Sequence, residues 1–495
     1  MPSEPWDVIV VGGGGAGLAA AVASTEARAR TVLLEKAPTL GGSTRLAVGS
    51  ISAPGTRRQR RRGITDDVES FAVDSKKFTG DLAPRDNTAL RATMAAEAGD
   101  TVAWLESLGV AFVGPFPEPP HRVPRMLNVV PGAHAYVSTL ARHARRRGAE
   151  IRTGVRVTGL VRTEGRVQGV EVESAEGARS TLTAKGGVIL ATGDFSSSPE
   201  MKARFIRPEA GPVAAINPLC TGDGHTMGAE AGGDLVNMDI TDGPQLRFPP
   251  PPAPSFLARL PGGRLLWPLY AGAGNALPRR VTRFFAKQLL TAWMAPAVGF
   301  LQAVLIVNRD GRRVDDRGQG FPYAVAGEPE GKAFLIVSEA LARRFSSGDN
   351  HISTAPGIAY AHWNDYRRGR PDLITRAATV SELATKLSMT PDALAATVDG
   401  EIDHARESGQ PSPYAQGPYY AMGPVHCIFV TTEGGLRVDA QCRVVDSTGK
   451  PIPGLWAAGS TGQSGLVLNG HGLHILWAMV SGRISGRSAA AGRAR

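Results

Sequence analysis

A glycine pattern directly after a short apolar run restricts the fold of this chain more than any other feature. The run WDVIVV at 6–11 is followed by Gly12, Gly14 and Gly17, the spacing of a dinucleotide-binding turn. In such a turn the first glycine allows a tight bend, the second lets the backbone approach a diphosphate, and the third lets helix and strand pack closely. The N-terminus of the following helix faces the phosphates. The sequence therefore predicts a buried strand, a phosphate-binding turn and a helix over 16–27.

A second apolar strand is predicted at 31–34, and it ends in Glu35, 18 residues after Gly17. A carboxylate at this place binds the ribose hydroxyl of a dinucleotide. Strand, helix, strand and acid together favour a dinucleotide site over a glycine-rich structural turn. They do not distinguish FAD from NAD.

The segment after this strand narrows the choice of cofactor. Residues 41–51 read GGSTRLAVGSI, a run of small and hydroxyl-bearing side chains. Such a loop suits a backbone that runs along an isoalloxazine ring and a diphosphate.

Further segments follow in a specific order along the chain. They are GGVILATGDF at 186–195, CTGDGHTMGAEAGG at 220–233, VNRDGRR at 307–313, TTEGGLRVD at 431–439, PIPGLWAAGSTGQSG at 451–465 and GHGLHILWAMVSGRISG at 470–486. Together with the GGST loop, they resemble the fumarate reductase / succinate dehydrogenase flavoproteins. This group, called FAD-binding domain 2, includes the 3-ketosteroid dehydrogenases and flavocytochrome c fumarate reductases. The resemblance covers nearly the whole chain.

The resemblance implies an α/β fold in which a Rossmann-like FAD-binding domain carries an inserted α+β cap domain for the substrate. The FAD-binding domain is expected at 1–240 and 426–495, the cap at 241–425, and the active site between them. Some relatives attach FAD through a histidine near the GGST loop. This loop has none, so FAD is expected to be bound non-covalently.

The resemblance also implies a set of cofactor-binding positions. They comprise the first turn, the ribose acid, the GGST loop, the ATG strand end, the TGDG turn, the AAG turn and the start of the last helix. By residue they are Gly12, Gly14, Gly15, Ala16, Gly17, Glu35, Lys36, Gly42, Ser43, Thr44, Ala47, Val48, Gly49, Ala191, Thr192, Gly193, Asp223, Gly459, Gly472, Leu473 and His474.

Departures from the fumarate reductases bear on the substrate. Those enzymes hold a dicarboxylate with a histidine before the TxGG turn and an arginine in the C-terminal loop. Here the matching places hold Val430 or Thr431, and Asn469. An amide does not replace a bidentate arginine without a large loss of affinity for a carboxylate. Their proton-delivering arginine follows an RFxNE signature, and this chain instead reads RVDDRGQGFPY at 313–323. Fumarate and succinate are therefore not expected as substrates.

The candidate catalytic residues are Tyr323, His471, Asn469 and Tyr420. Tyr323 lies near the place where ketosteroid dehydrogenases have a tyrosine. A free tyrosine titrates at about pH 10, so acid–base work would need a neighbouring donor or cation such as Arg317. His471 can donate to the flavin or to a substrate carbonyl, with a structural histidine as the alternative. Asn469 can bind a neutral carbonyl, and Tyr420 lies where the cap chain returns to the FAD domain.

The implied enzyme is an FAD-dependent oxidoreductase acting on a CH–CH bond by hydride transfer to or from flavin N5. It would dehydrogenate a ketone-like substrate, steroid-like or otherwise cyclic and apolar, or reduce an activated C=C bond. One alternative is a reductase or dehydrogenase of a small unsaturated carboxylic acid that uses Arg125, Arg247 or Arg317. Another is a non-catalytic flavin-carrying partner subunit. The sequence contains no haem or iron–sulfur motif, so a separate electron acceptor is expected.

Charge and composition exclude other functions. The net charge is +10 with arginine runs at 57–62 and 145–147, but no nucleic-acid-binding module accompanies them, so no nucleic-acid partner is expected. The three cysteines form no CxxC pair, and no metal site is predicted. The first strand begins within a few residues of Met1, so a cytoplasmic protein is expected. The segment 279–295, with Arg and Lys beside Phe, Leu and Trp, suggests contact with a membrane surface as an alternative.

Further helices and a strand are predicted from the pattern of apolar residues. GDTVAWLESLGVAF at 99–112 reads as an amphipathic helix. The last helix is predicted at 473–487. The uncharged run 289–307 reads as a buried helix followed by a strand, because a proline and a glycine interrupt it.

Overall fold

The computed structural model describes residues 4–252, 293–316, 318, 320–355 and 359–492. Its strands β1 to β22, in chain order, are Trp6–Val11, Thr31–Glu35, Ser50–Ser52, Ala111–Phe116, Met126–Val130, Glu150–Thr153, Val155–Thr163, Arg166–Ser174, Arg179–Leu190, Leu235–Val236, Thr241–Asp242, Gln245–Arg247, Leu305–Val307, Lys332–Ser338, Ser353–Ala355, Ala359–Ala361, Ile374–Ala377, Tyr419–Ile428, Thr431–Thr432, Gly435–Leu436, Arg443–Val445 and Pro451–Ala457.

The α-helices follow the same chain order, α1 to α15. They are Gly15–Glu26, Gly42–Leu46, Arg57–Arg61, Val68–Lys76, Thr88–Leu108, His134–Arg146, Pro199–Phe205, Asp223–Glu230, Val298–Leu301, Phe321–Ala326, Glu339–Arg344, Trp363–Gly369, Val380–Leu387, Pro391–Glu407 and Leu473–Ala491.

The main sheet has the strand order β21-β22-β9-β1-β2-β6, with β8 joined to β9 and β7 joined to β8. The pairs β1–β2, β1–β9, β2–β6 and β9–β22 are parallel. The central strands are buried apolar runs, as expected of strands covered on both faces. This is a Rossmann-like arrangement, and it confirms the predicted α/β class.

Helix α15 packs closely on α1, and small residues make this possible. A Cβ atom on Gly482 would lie 2.3 Å from the carbonyl oxygen of Ala16, and one on Gly486 would lie 2.4 Å from that of Ala20. The C-terminal helix therefore fixes the nucleotide-binding helix from behind. The predicted last helix is confirmed and extends to Ala491.

The cap is built on an antiparallel sheet of order β12-β18-β14-β13, with β17 also paired to β18. It has a core of its own that draws on residues from Ala210 to Phe429. The expected boundary between 425 and 426 falls inside β18, which continues to Ile428. Short pairs β10–β20 and β11–β19 connect the segments that enter and leave the cap.

The predicted helix over 99–112 is wrong at its C-terminal end. Helix α5 stops at Leu108 because Gly109 adopts the left-handed conformation with φ 101°, a common helix ending. Residues from Ala111 onward form β4 instead. The short helix α9 and β13 lie in the predicted helix-then-strand region, of which 289–292 lie outside the described residues.

Most of the membrane-contact segment 279–295 also lies outside the described residues. Within the described part of the chain, no helix is long and apolar enough to pass through a membrane.

Candidate active site

A cavity of about 450 Å³ opens where β1 ends and α1 begins. It brings together most of the predicted cofactor-binding residues from six separate segments of the chain. Those that line it are Gly12, Gly14, Gly15, Ala16, Glu35, Lys36, Gly42, Ser43, Thr44, Ala191, Thr192, Gly193, Asp223 and Gly459.

The glycine turn has the close backbone contacts that its sequence predicts. Gly12 has φ +107°, and a Cβ atom on Gly17 would lie 1.9 Å from the carbonyl oxygen of Gly12. At Gly14 the nearest atom to such a Cβ is 4.0 Å away, so its surface is open to a ligand. The turn therefore fits a diphosphate on the N-terminus of α1.

Glu35 is held at the end of β2 by two backbone donors. Its Oε2 accepts from the Gly13 N–H at 2.6 Å, and its Oε1 accepts from the Ala37 N–H at 2.8 Å. Each carboxylate oxygen retains lone-pair capacity, so Glu35 can also accept from a ribose hydroxyl.

Lys36 follows Glu35 and connects the end of β2 to helix α8. Its Nζ donates to Asp223 Oδ2 at 2.9 Å and to Thr221 Oγ1 at 2.7 Å. Burial of Asp223 acts in the opposite direction, but the Lys36 ammonium lowers the pKa of this carboxyl below its usual value. The pair cross-links two segments 187 residues apart.

Part of the cavity wall was not predicted. Asn217 Nδ2 donates to Ser43 Oγ at 3.0 Å and to Cys220 Sγ at 3.1 Å, which fixes the GGST loop against the segment before α8. Asn217 belongs to no quoted motif, so the sequence offered no signal for it.

The other predicted cofactor positions do not line this cavity. Gly17 is packed on Gly12, and 47–49 lead into β3, where Gly49 O accepts from the Tyr136 hydroxyl at 3.1 Å. Gly472, with φ +81°, precedes α15 and packs on Ile51. Leu473 and His474 form the first turn of α15.

A cluster of charged side chains lies near the N-terminus of α15. Glu433, fully buried just after β19, accepts from His474 Nε2 at 2.6 Å and from the Leu468 N–H at 3.0 Å. Gln463 Nε2 donates to the same carboxylate. Burial alone would lower the pKa of His474, but Glu433 more than offsets this and raises it. The geometry therefore favours a cationic His474 at this helix end.

The cap side of the cluster consists of Asp242, Gln245 and Arg247. Gln245 connects the other two, because its Nε2 donates to Asp242 Oδ1 and its Oε1 accepts from Arg247 Nη2 at 2.8 Å. Arg247 Nη1 donates to the Trp293 carbonyl at 2.6 Å, while the buried Nε has no hydrogen-bond partner among the described residues. Burial raises the pKa of Asp242 and lowers that of Arg247.

His471 belongs to the same region. Its Nδ1 lies 2.6 Å from Glu118 Oε1, and its main-chain N–H donates to the same oxygen at 3.0 Å. The side chain of His471 is 51% exposed, whereas that of Glu118 is 3% exposed. Asp242 is close enough for His471 to influence its pKa. Asn469 is exposed in the loop that precedes His471.

The two predicted tyrosines do not join this cluster. Tyr420 packs on Trp363 in the cap core, with ring centroids 5.0 Å apart, and its hydroxyl donates to Glu339 at 2.8 Å. Its predicted catalytic position is therefore corrected to a structural one in the cap. Tyr323 also packs against the cap core and lies under the Arg207 guanidinium at 4.6 Å. Burial raises the pKa of Tyr323, which is unfavourable for acid–base work.

The arginines predicted for the alternative carboxylic-acid substrate lie in different surroundings. Arg125 is fully buried and paired with Asp66 at 2.6 Å and Asp74 at 2.7 Å, so it is structural. Arg313, the arginine at the start of the RVDDR segment, pairs with Glu401. Arg317 lies outside the described residues. Of the predicted arginines, Arg247 is the one that the structure places in the cluster.

Comparison with known proteins supplies the family. A family model described as "FAD binding domain" matches residues 7–469. A fumarate reductase (cytochrome) of Shewanella frigidimarina is 25% identical over 92% of this chain and 72% of its own length. A vinyl phenol reductase of Lactiplantibacillus plantarum is 24% identical over 98% of this chain and 97% of its own. The open conformation of a flavocytochrome c3 fumarate reductase is similar in structure, with a TM-score of 0.75 and 27% identity over 100% of this chain and 79% of that chain.

These matches agree with the glycine turn, Glu35 and the cavity beside them. The cofactor of this chain is FAD, as predicted. The chain therefore belongs to the FAD binding domain family, and it is an FAD-dependent oxidoreductase related to the fumarate reductases.

Proposed function

We propose that this protein interconverts a C–C single bond and a C=C bond next to a carboxylate, with a small unsaturated monocarboxylic acid as the substrate. The observation that carries the proposal is the partly unpaired guanidinium of Arg247 in the charged cluster. This favours the acid over the ketone that the sequence resemblance suggested first. Bound FAD would supply or accept the hydride at N5.

Arg247 is suited to hold a carboxylate. Its Nη groups are occupied by two neutral oxygens, and its buried Nε–H is unpartnered among the described residues. Burial lowers the pKa of Arg247, because no directly bonded anion offsets the loss of solvent around the guanidinium charge. A substrate carboxylate would add charge-assisted hydrogen bonds, which are the strong ones for arginine.

The cluster favours one carboxylate rather than two. Glu433 already offsets the charge of His474 at 2.6 Å. Asn469 is exposed at the place where the related fumarate reductases have a carboxylate-binding arginine. A dicarboxylate would therefore leave one carboxylate without a guanidinium partner in the described cluster.

His474 has a different role in the proposal. The resemblance implies that the start of the last helix contacts the cofactor, and the proposal places the flavin ring there. A cationic His474 and the positive end of α15 would both stabilise negative charge there. Lys36, Glu35 and the glycine turn would hold the nucleotide portion. Since the GGST loop has no histidine, we expect denaturation to release the flavin.

A neutral, ketone-like substrate is the second candidate. Asp242 favours it, because a carboxyl near Arg247 would repel a substrate carboxylate whenever it is ionised. The raised pKa of Asp242 reduces this repulsion, so we rank the acid first.

The test is anaerobic reoxidation of chemically reduced enzyme by matched substrates: a monoenoic acid, its methyl ketone analogue and fumarate. We expect the monoenoic acid to reoxidise the flavin fastest at a given concentration. Arg247→Gln should weaken its apparent affinity about 10- to 100-fold, the equivalent of about one charge-assisted hydrogen bond. The apparent affinity for the ketone should change less than about threefold.

The matched control is Arg309→Gln, which removes an exposed arginine paired with Glu330. This variant should leave the apparent affinities for the acid and the ketone unchanged. Equal losses for acid and ketone in Arg247→Gln would contradict carboxylate binding. Failure of every C=C compound to reoxidise the wild-type flavin would contradict the reaction itself.

A further inference from the structure

We propose that His471 is the acid–base residue of this reaction and that Glu118 is its positioning residue. This inference rests on the proposed function and assigns the proton to a side chain. The geometry points to it because one buried carboxylate holds both the ring and the backbone of His471.

Glu118 lies between β4 and β5, far from His471 in sequence, with a separation of 353 residues. One oxygen, Oε1, serves both the His471 N–H at 3.0 Å and the Nδ1 at 2.6 Å. The Ser52 hydroxyl donates to the His471 carbonyl at 3.0 Å. The ring therefore has a fixed direction even though half of its surface is exposed.

This hydrogen bond also determines which ring nitrogen can react. An ionised Glu118 only accepts hydrogen bonds, so Nδ1 must carry the proton in the pair. In the neutral ring, Nε2 then has the free lone pair, and in the cation it has the transferable proton. His471 would thus exchange protons at Nε2, on the side of the ring away from Glu118.

Other charged groups surround His471 without replacing Glu118. Asp242 faces it from the cap, close to Arg247. His474, in the first turn of α15, is already hydrogen-bonded to Glu433. Behind Glu118, His121 lies next to Phe71 and Phe78, and burial lowers its pKa to about 4. His121 is therefore neutral at ordinary pH, which leaves His471 as the exposed titratable ring beside Glu118.

The proton step is simple in the direction of C=C reduction. Bound FAD would supply the hydride to the β-carbon, and the C=C electron pair would move to the α-carbon. His471 Nε2 gives its proton to that α-carbon, and the N–H bond breaks as the C–H bond forms. The substrate would thus gain one hydride and one proton, with the two electrons coming from the hydride, and His471 would regain its proton from water.

The first experiment does not depend on turnover. Histidines are labelled with ¹⁵N, and the His471 signal is identified by its loss in His471→Gln. At a pH where the ring is neutral, wild-type His471 should be the Nδ1–H tautomer. Glu118→Ala should convert it to the Nε2–H tautomer that free histidine prefers, while Glu176→Gln, an exposed control, should not.

The second experiment measures flavin reoxidation by the substrate that is active with the wild-type enzyme. His471→Ala should slow it about 100-fold or more, within the range of general acid catalysis, and added imidazole should restore part of the rate. Glu118→Gln keeps an oxygen for both donors but removes the charge. It should shift the pH–rate profile to lower pH, a change that a loop anchor alone would not cause. The control His404→Ala alters an exposed histidine on α14 and should behave as wild type.

The outcomes are separable from those of the proposed function. An unchanged tautomer in Glu118→Ala, or a rate in His471→Ala above half of the wild-type rate, would overturn the acid–base assignment. A tautomer change together with imidazole rescue supports it. If the wild-type enzyme reduces no C=C compound, the reaction fails, but the tautomer result still tests the Glu118–His471 pair. His471→Gln provides a second variant if His471→Ala does not fold.

Discussion

Replacement of Glu433 by glutamine tests the charge arrangement at the start of α15. The carboxylate accepts from His474, from the Leu468 N–H and from Gln463. A glutamine can satisfy all three neighbours in one arrangement only. Its oxygen must accept from Leu468 and Gln463, and its NH₂ must donate to His474 Nε2. His474 is then neutral, so Glu433→Gln exchanges an ion pair for a neutral hydrogen bond.

The size of the effect follows from these contacts. We expect Glu433→Gln to destabilise the fold by about 2 kcal/mol near pH 6, the loss of charge assistance in the buried contacts. Glu433→Ala removes the acceptor altogether, leaving the His474 cation and the Leu468 N–H without it. Breaking a buried pair in this way costs about 3–5 kcal/mol.

The pH dependence has a definite sign. The pKa of His474 is raised from its ordinary value of 6.5, so its stabilisation is complete below that pH. It is lost as pH rises through the raised folded-state value. The pKa of Glu433 is lowered from 4.5, mainly because its contacts with His474 offset burial. Its stabilisation is lost only as pH falls through that lowered value. The pair therefore stabilises most between pH 4.5 and 6.5.

Urea unfolding of the wild type and of Glu433→Gln at pH 6 and pH 9 measures the difference. The two proteins should differ by about 2 kcal/mol at pH 6 and by clearly less at pH 9. Glu176→Gln is the matched control, because Glu176 is exposed in a turn with Ser174. An equal loss of unfolding free energy at both pH values would refute the ion-pair reasoning. A loss of unfolding free energy no larger than that of Glu176→Gln would also refute it.

Two further predictions concern the cofactor and the cap surface. Gly17→Ala places a Cβ atom 1.9 Å from Gly12 O and should abolish FAD binding in a fluorescence titration. Gly232→Ala serves as the control and should retain FAD, because an added Cβ atom there meets nothing within 4 Å, although the φ of +97° adds local strain. Arg313→Gln should change turnover less than about twofold, because Arg313 pairs with Glu401 and a surface ion pair contributes about 0–1 kcal/mol. A large loss of turnover would contradict this surface role of Arg313.

The nucleotide-binding half could be predicted from sequence because its signals are local. Gly12 to Gly17 and Glu35 lie within one βαβ unit, and the spacing of that unit follows directly from its geometry. The end of α5 was missed because the apolar period continues past Gly109. Only the left-handed glycine ends the helix there.

The charged cluster could not be predicted in the same way. Its members come from distant segments, and pairs such as Glu118–His471 have no spacing rule. Tyr420, by contrast, was assigned to the site on its position in the sequence alone. Its motif lies next to the return of the chain to the FAD domain, but the alternation of β18 turns the side chain into the cap core. Proximity in sequence to a domain boundary does not determine which face of a strand a residue occupies.

The two sides of the charged cluster differ in how their charges are balanced. Asp242 and Arg247 come from strands that lead into the cap, whereas Glu433, His471 and His474 belong to the FAD side. Glu433 and His474 offset each other within the FAD side. Arg247 has no directly bonded anion among the described residues, and burial makes its charge costly. An anionic substrate that lies against the FAD side would therefore satisfy a cap residue, and this contact between the two sides would select a carboxylate.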